Sequence, residues 1–248
     1  MLIISWKCRG LARPAAQRSL QTLIRLNNPD CIFLMETKID ESYMREITSS
    51  LGFPFAIVIL ALDLSGGLCL CWKLGVDIEV TSQNKNLINV LILSNPLFSP
   101  WMLSSIYGPP VARLRNSFWE SLHKANQSFC GPWLYLGDFN ALLSQFDKRG
   151  GKPFASSSTN GFSNLISYHG LIDLGFSGNP FTWSNKRPCR ANIKERIDRA
   201  VSNSDWRMLF PNASLLHYPA TSFDHNPLIL NTSGTPLSLP KPFRFEAF

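Results

Sequence analysis

The chain of 248 residues has no paired-cysteine metal motif and no apolar run long enough to span a membrane as a helix. Its six cysteines, Cys8, Cys31, Cys69, Cys71, Cys130 and Cys189, form no CxxC pair and have no HxxxH partner, which excludes a finger- or ribbon-type zinc site. They read as reduced core thiols. The longest apolar run, Phe55 to Leu62, falls far short of the ~20 residues that cross a bilayer. The opening Met1 to Trp6 lacks the basic and extended apolar regions of a signal peptide. An intracellular, reducing location is therefore expected, and the sequons at Asn126, Asn212 and Asn231 read as chance matches. What is abundant is core-forming material: 45% of residues are hydrophobic, enough for one domain with a full core. Lysine and arginine outnumber aspartate and glutamate 24 to 17, a balance of +7 that suits a polyanionic partner.

Short apolar strands and amphipathic helices alternate along the first part of the chain. A strand over 2–6 leads through Gly10 to a helix from about Pro14 to Leu26, then a buried strand, Cys31 to Met35, that delivers Glu36 at its end. A helix near Tyr43 to Leu51 follows. Gly66-Gly67 punctuates a meander of strands over Leu68 to Trp72, Asp77 to Thr81, Leu87 to Leu93 and Trp101 to Tyr107, stopped by Pro109-Pro110. After a helix around Arg115 to Gln127, the strand Trp133 to Leu136 runs into Gly137-Asp138-Phe139-Asn140. A glycine-, serine- and lysine-rich loop over 148–160, a helix over Gly161 to His169, the segments Phe181 to Trp183, Arg196 to Val201 and Leu215 to Tyr218, and Asp224-His225 leading into an apolar strand at Pro227 to Leu230 complete the pattern. Polar residues repeatedly stand just after strands, where α/β folds gather reactive groups.

The chemistry lies in Gly137-Asp138-Phe139-Asn140 and the later Asp224-His225. Carboxylates can hold a hard cation, an amide can bond a phosphoryl oxygen and an imidazole can move a proton. With Ser5-Trp6-Lys7-Cys8-Arg9-Gly10, Met35-Glu36-Thr37-Lys38, Gly66-Gly67-Leu68, Tyr107-Gly108 and Glu195-Arg196-Ile197-Asp198-Arg199, these motifs occur in an order that resembles the endonuclease/exonuclease/phosphatase superfamily. The likeness spans residues 2 to about 232 and is nearest to the endonuclease region of plant LINE-type (non-LTR) retrotransposons. It implies a DNase I-like four-layer α/β sandwich, two packed mixed β-sheets flanked by helices, with the site at one edge. It implies that Glu36, assisted by Asp224, binds Mg²⁺ or Mn²⁺ and that Tyr107 contacts the scissile phosphate. It further implies that Asp138 orients or deprotonates the attacking water, that Asn140 bonds phosphoryl oxygens, and that His225, steered by Asp198, transfers the proton. The implied reaction is in-line hydrolysis of a DNA phosphodiester, with nuclear residence inferred from that substrate. Neither a membrane nor an obligate protein partner is expected.

Taken one by one, the residues allow plainer readings. Glu36 could be a solvated carboxylate, Asp138 and Asn140 turn residues, Tyr107 and Trp183 core aromatics, and Asp198 a surface partner of Arg196 or Arg199. Trp183 and Lys186 could equally lean on a sugar or base and meet a phosphate. Arg9, Lys38, Lys148, Arg149, Lys152, Lys186, Arg187 and Arg190 fall on predicted loops as a candidate phosphate-facing rim, or as a solvated face.

Two positions depart from the superfamily pattern. Lys7 stands where asparagine is usual, and an ammonium ~4 Å from a divalent ion costs about 8 kcal/mol at an effective dielectric near 20. Turning its charge toward Glu36 or a phosphate would relieve most of that cost. Phe223 stands where a small serine usually precedes the Asp-His pair, and its bulky ring is expected to tilt His225. The segment 241–248 corresponds to sequence that leads toward a reverse transcriptase in the retroelement proteins, so residues 1–232 are expected to form the catalytic domain and 233–248 a truncated linker. The alternatives to a DNA-nicking enzyme are a silent nucleic-acid-binding remnant and a phosphatase of small phosphate esters or phosphoinositides.

Overall fold

Two β-sheets packed face to face form the centre of the chain, in a computed structural model that describes residues 1–62, 65–154, 160–219 and 223–234. In chain order the elements are β1 (Leu2–Lys7), α1 (Pro14–Asn27), β2 (Cys31–Met35), α2 (Glu41–Ser50), β3 (Phe55–Leu62), β4 (Ser65–Trp72), β5 (Ile78–Asn84), β6 (Leu87–Ser94), β7 (Leu97–Tyr107), α3 (Arg115–Ser128) and β8 (Trp133–Asp138). They continue as β9 (Lys148–Arg149), α4 (Asn160–Tyr168), β10 (Ile172–Asp173), β11 (Ser177–Gly178), β12 (Trp183–Ser184), β13 (Lys194–Glu195), β14 (Asp198–Ser202), α5 (Ser204–Leu209), β15 (Ser214–His217) and β16 (Leu228–Asn231). One sheet has the order β11-β15-β16-β1-β2-β4-β3, the other β10-β14-β8-β7-β6-β5, and β12-β13-β9 form a small third sheet.

Burial explains the layering. Ile3, Phe33, Met35, Leu68 and Leu70 of the first sheet meet Ile88, Val90, Leu103, Leu134 and Leu136 of the second in a shared core. The opposite face of the first sheet packs on α1 and α2 through Ile4, Ile32, Leu34, Leu20, Leu23 and Met44. The outer face of the second packs on α3 and α4 through Ile106, Tyr135, Trp119, Leu122 and Phe162. Every residue of β2 is buried, as a strand covered on both faces requires. The result is the expected four-layer α/β sandwich. In α1, proline at the first turn fixes φ without losing a hydrogen bond, Ala16, Leu20 and Leu23 line one face, and Asn28 closes the helix with φ 49°.

Two parallel strand pairs aim the polar ends at one edge. β1 pairs β2 in parallel with Lys7 opposite Met35, which puts Lys7 beside Glu36. β7 pairs β8 in parallel with Tyr107 opposite Asp138. Asp198 begins antiparallel β14 opposite Asp138, and Leu228 of β16 lies opposite Ser5, so Asp224-His225 arrive at the same edge. Gly67 lies inside β4 with φ +83°, and a Cβ there would meet Thr37 Oγ1 at 2.6 Å, so only glycine allows the loop after Glu36 to lie this close.

Several expectations are corrected. Gly66-Gly67 belong to a strand that pairs with β3, rather than punctuating the meander. Phe55 to Leu62, taken only as an apolar run, is an edge strand. Cys130 and Cys189 are exposed, whereas Cys8, Cys31, Cys69 and Cys71 are buried core thiols. Part of the glycine-serine loop (155–159) and most of the expected linker (235–248) lie outside the described residues.

A buried ion network holds the second sheet to the small one. Arg199, 1% exposed, bonds Asp147 at 2.6 Å and Asp173 at 2.7 Å, and Arg196 bonds Asp173 at 2.6 Å. Asp147 also accepts from the backbone N–H groups of Leu143 and Ser144. Burial pushes the Asp147 carboxyl up, but Arg199 and these hydrogen bonds hold it below the usual carboxylate range. Arg199→Met would remove the closest cation from Asp147 and leave Asp173 to Arg196 alone, and should cost about 3 kcal/mol in a urea unfolding experiment. Because the folded value of Asp147 is depressed, its contribution is present above the unfolded value of about 3.9 and is lost as pH falls through the folded value. The stability gap between the wild type and Asp147→Asn should therefore shrink on acidification below about pH 4.

Candidate active site

Lys7 is the centre of the site. Its ammonium lies 3.0 Å from Asp138 Oδ2 and 3.2 Å from Glu36 Oε1, and its side chain is only 8% exposed. Burial works against this charge, yet Asp138, Tyr107 and Glu36 together hold it above the ordinary lysine range. Glu36 stands just past β2 with φ 54°, a left-handed turn that brings its carboxylate back over the strand ends. The Tyr107 hydroxyl donates to Glu36 Oε1 at 2.9 Å. Burial alone would raise the Glu36 carboxyl, but Lys7, Tyr107 and Lys38 keep it below its ordinary value.

Two further cations close over the same carboxylates. Arg9 donates to Asp224 Oδ2 at 2.5 Å and lies 3.8 Å from Glu36 Oε2, and Lys38 lies 3.6 Å from that oxygen. The Trp183 indole also donates to Asp224 Oδ2, at 3.2 Å. Trp183 is thus neither a core residue nor detached from the site. With Lys186, Asn179, Asn192 and Lys194 it lines an open cleft of about 410 Å³ beside Asp224.

Behind Lys7 lies an acidic grouping. Asp138, Asp198 and His225 are all buried and bring one ligand-type atom each within 4.8 Å of one another. His225 Nδ1 lies 2.9 Å from Asp198 Oδ2, so of the two readings of Asp198 the structure shows contact with the imidazole, while Arg196 and Arg199 turn to Asp147 and Asp173. Burial would raise the Asp198 carboxyl, and His225, Thr182 and Lys7 together lower it below its ordinary value. Asp138 goes the other way: its complete burial beside Asp198 raises it despite Lys7. Asp138 Oδ1 accepts the Asn140 N–H at 2.8 Å, and the Asn140 amide donates to the Gly108 carbonyl at 2.7 Å.

Thr182 is the site residue that sequence reasoning missed. Its hydroxyl accepts the N–H groups of Ile197 and Asp198 at 3.1 and 3.0 Å and so fixes the start of β14. The signal was its place between Phe181 and Trp183, whose strand pairs with His225 and Glu195. The Phe223 ring packs edge-on against Trp6 at 4.9 Å in the outer core. The rim is also corrected at one member, because Lys148 is partly buried and bonded to Glu195, whereas Arg9, Lys38, Arg149, Lys152, Lys186, Arg187 and Arg190 are exposed.

Asp138, Asp198 and His225 offer a donor set that could hold a cation, but Glu36 and Asp224, the expected metal ligands, do not fit one as they stand. Glu36 Oε1 already accepts from Lys7 and Tyr107, its Oε2 faces Arg9 and Lys38, and Asp224 Oδ2 accepts from Arg9 and Trp183. Both Asp138 oxygens are likewise engaged, by Lys7 and Asn140.

The sequence profile of the Endonuclease/Exonuclease/phosphatase family matches residues 4–213. Among solved structures, the chain is similar to an AP endonuclease from Leishmania major, with a TM-score of 0.72 at 16% identity over 92% of this chain and 86% of that one. A 3'-5' exonuclease from Neisseria meningitidis gives 0.70 at 16% identity over 93% and 99%. The endonuclease domain of TRAS1, a telomere-specific non-LTR retrotransposon, gives 0.69 at 14% identity over 93% and 97%. Such identities carry the fold alone. Among curated proteins no sequence matches this chain.

If Asp198 fixes the His225 tautomer, its carboxylate keeps the proton on Nδ1 of the neutral ring. Asp198→Ala should then shift His225 toward the Nε2–H form, read by long-range proton–nitrogen NMR; an unchanged tautomer would show that other contacts set it.

Proposed function

We propose that this chain, which belongs to the endonuclease/exonuclease/phosphatase family, is a phosphodiester hydrolase acting on DNA, a strand-nicking endonuclease of LINE-type retroelement origin. The observation that supports this reading best is the buried Asp198–His225 pair with Asp138 beside it, whose carboxylate also accepts the Asn140 N–H, at one edge of the sandwich. Asp138, raised by burial, is the group that orients the attacking water and takes its proton. His225, held by Asp198 through Nδ1, presents its other nitrogen to the phosphate, and it is the imidazolium form, protonated on both nitrogens, that gives a proton from that nitrogen to the leaving oxygen and returns to the neutral ring. Asn140 commits one amide hydrogen to Gly108, and its second bonds a phosphoryl oxygen. Tyr107, whose hydroxyl is committed to Glu36, positions that carboxylate in this reading. The cleft beside Trp183 and the exposed cations around it receive the strand.

Two of the similar structures favour DNA over a small ester in this reading: one is an AP endonuclease and another is a 3' phosphatase from Neisseria bound to a product DNA hairpin. The retroelement assignment rests on the ordered motifs and the TRAS1 likeness, and nuclear residence follows from the substrate. Glu36 and Asp224 are engaged by the chain's own cations. That engagement favours one second reading, a protein that binds nucleic acid without cutting it.

Supercoiled plasmid separates the two. Wild-type protein should relax the plasmid, and Asp138→Ala and His225→Ala should each slow relaxation by about 100-fold or more, the scale of losing one general acid or base. Wild type that shifts plasmid on a gel yet leaves it supercoiled would establish the binding-only reading.

A further inference from the structure

We propose that Lys7 and Arg9 together take the place of a divalent cation, so that this site is charge-balanced by its own side chains and engages a phosphate without metal. The inference rests on reading the edge pocket as a phosphodiester site. The two cations supply +1 and +1, the formal charge of one divalent ion, and they contact the acids a metal would need. Lys7 bridges Glu36 and Asp138, and Arg9 bridges Asp224 and Glu36. Each sits where it can do this for a backbone reason. Lys7 is the last residue of β1, beside the end of parallel β2, while Arg9 takes a left-handed φ of 51° that turns it back over the site.

The arrangement divides the work between a floor and a rim. The Lys7 ammonium is the floor, its side chain 8% exposed, with the Tyr107 ring 5.2 Å from it. The Arg9 and Lys38 side chains, 52% and 37% exposed, form the rim, where their remaining donors can meet a phosphate from solvent. Removing Lys7 and Arg9 without replacing their charge would leave Asp138 and Asp224 without these cation partners and Glu36 with Lys38 alone, an imbalance that another cation would relieve.

Manganese binding, and duplex affinity with and without manganese, test this without reading turnover. Melting curves of the wild-type protein should be unmoved by millimolar Mn²⁺, and electron paramagnetic resonance should detect no stoichiometric bound ion. The K7N/R9N variant should melt lower in chelator and rise by about 5–10 °C with Mn²⁺ at roughly a hundred times its dissociation constant. Adding E36Q to that variant should abolish the rise. Tight Mn²⁺ binding by wild type, lost in E36Q, would overturn the proposal, as would a folded K7N/R9N variant that binds no ion. Should the variant not fold, wild type alone decides: its affinity for a duplex oligonucleotide, at fixed ionic strength, should agree within about twofold in Mn²⁺ and in chelator. A clear tightening by Mn²⁺ would contradict it. Plasmid relaxation is read separately, so a failure here leaves the hydrolase reading standing, and the reverse holds too.

Discussion

One ammonium group joins the two sheets at the edge where the chemistry gathers. Lys7 leaves the first sheet at the end of β1 and reaches Asp138 at the end of β8 in the second, holding Glu36 on the way. Neither carboxylate would stay charged at such burial without a cation, since desolvation alone penalises the ionised form heavily. The rest of the site is arranged around that constraint. Tyr107 and Lys38 complete the shell of Glu36, Arg9 spans Glu36 and Asp224, and Trp183 ties Asp224 to the small sheet.

The segment from Glu195 to Arg199 shows how a strand serves two ends. Successive side chains of β14 point to opposite faces, so neighbouring Asp198 and Arg199 cannot share a partner. Asp198 turns into the pocket and meets His225, while Arg199 turns away and bonds Asp147 and Asp173. The second network fixes the turn before β9, and β9 pairs β13, which pairs β12 beside His225. A structural ion cluster and a candidate catalytic pair are thereby set in register by one pleat.

Most of the architecture is legible in the residues because the apolar runs are short and separated by turn-formers. The strand Cys31 to Met35 and the helix beginning at Pro14 appear where the pattern puts them. Phe55 to Leu62 escaped because a continuous apolar run carries no period, and edge position is a tertiary property. The two-residue strands of the small sheet leave no periodic trace at all. At the site, the ordered motifs named Glu36, Tyr107, Asp138, Asp198 and His225 as neighbours, and the structure brings them to one edge. Which way Lys7 would point was not readable, because its long stem can reach a carboxylate or a phosphate equally well. Thr182 was hidden for another reason: its role is to bond backbone, which no side-chain motif records.

The most direct test is a crystal of the protein soaked in Mn²⁺ and measured at the manganese absorption edge. The account predicts no anomalous peak between Glu36, Asp138 and Asp224, with the Lys7 side chain in continuous density to both Glu36 and Asp138. A peak coordinated by Glu36, with Lys7 swung away from Asp138, would contradict it.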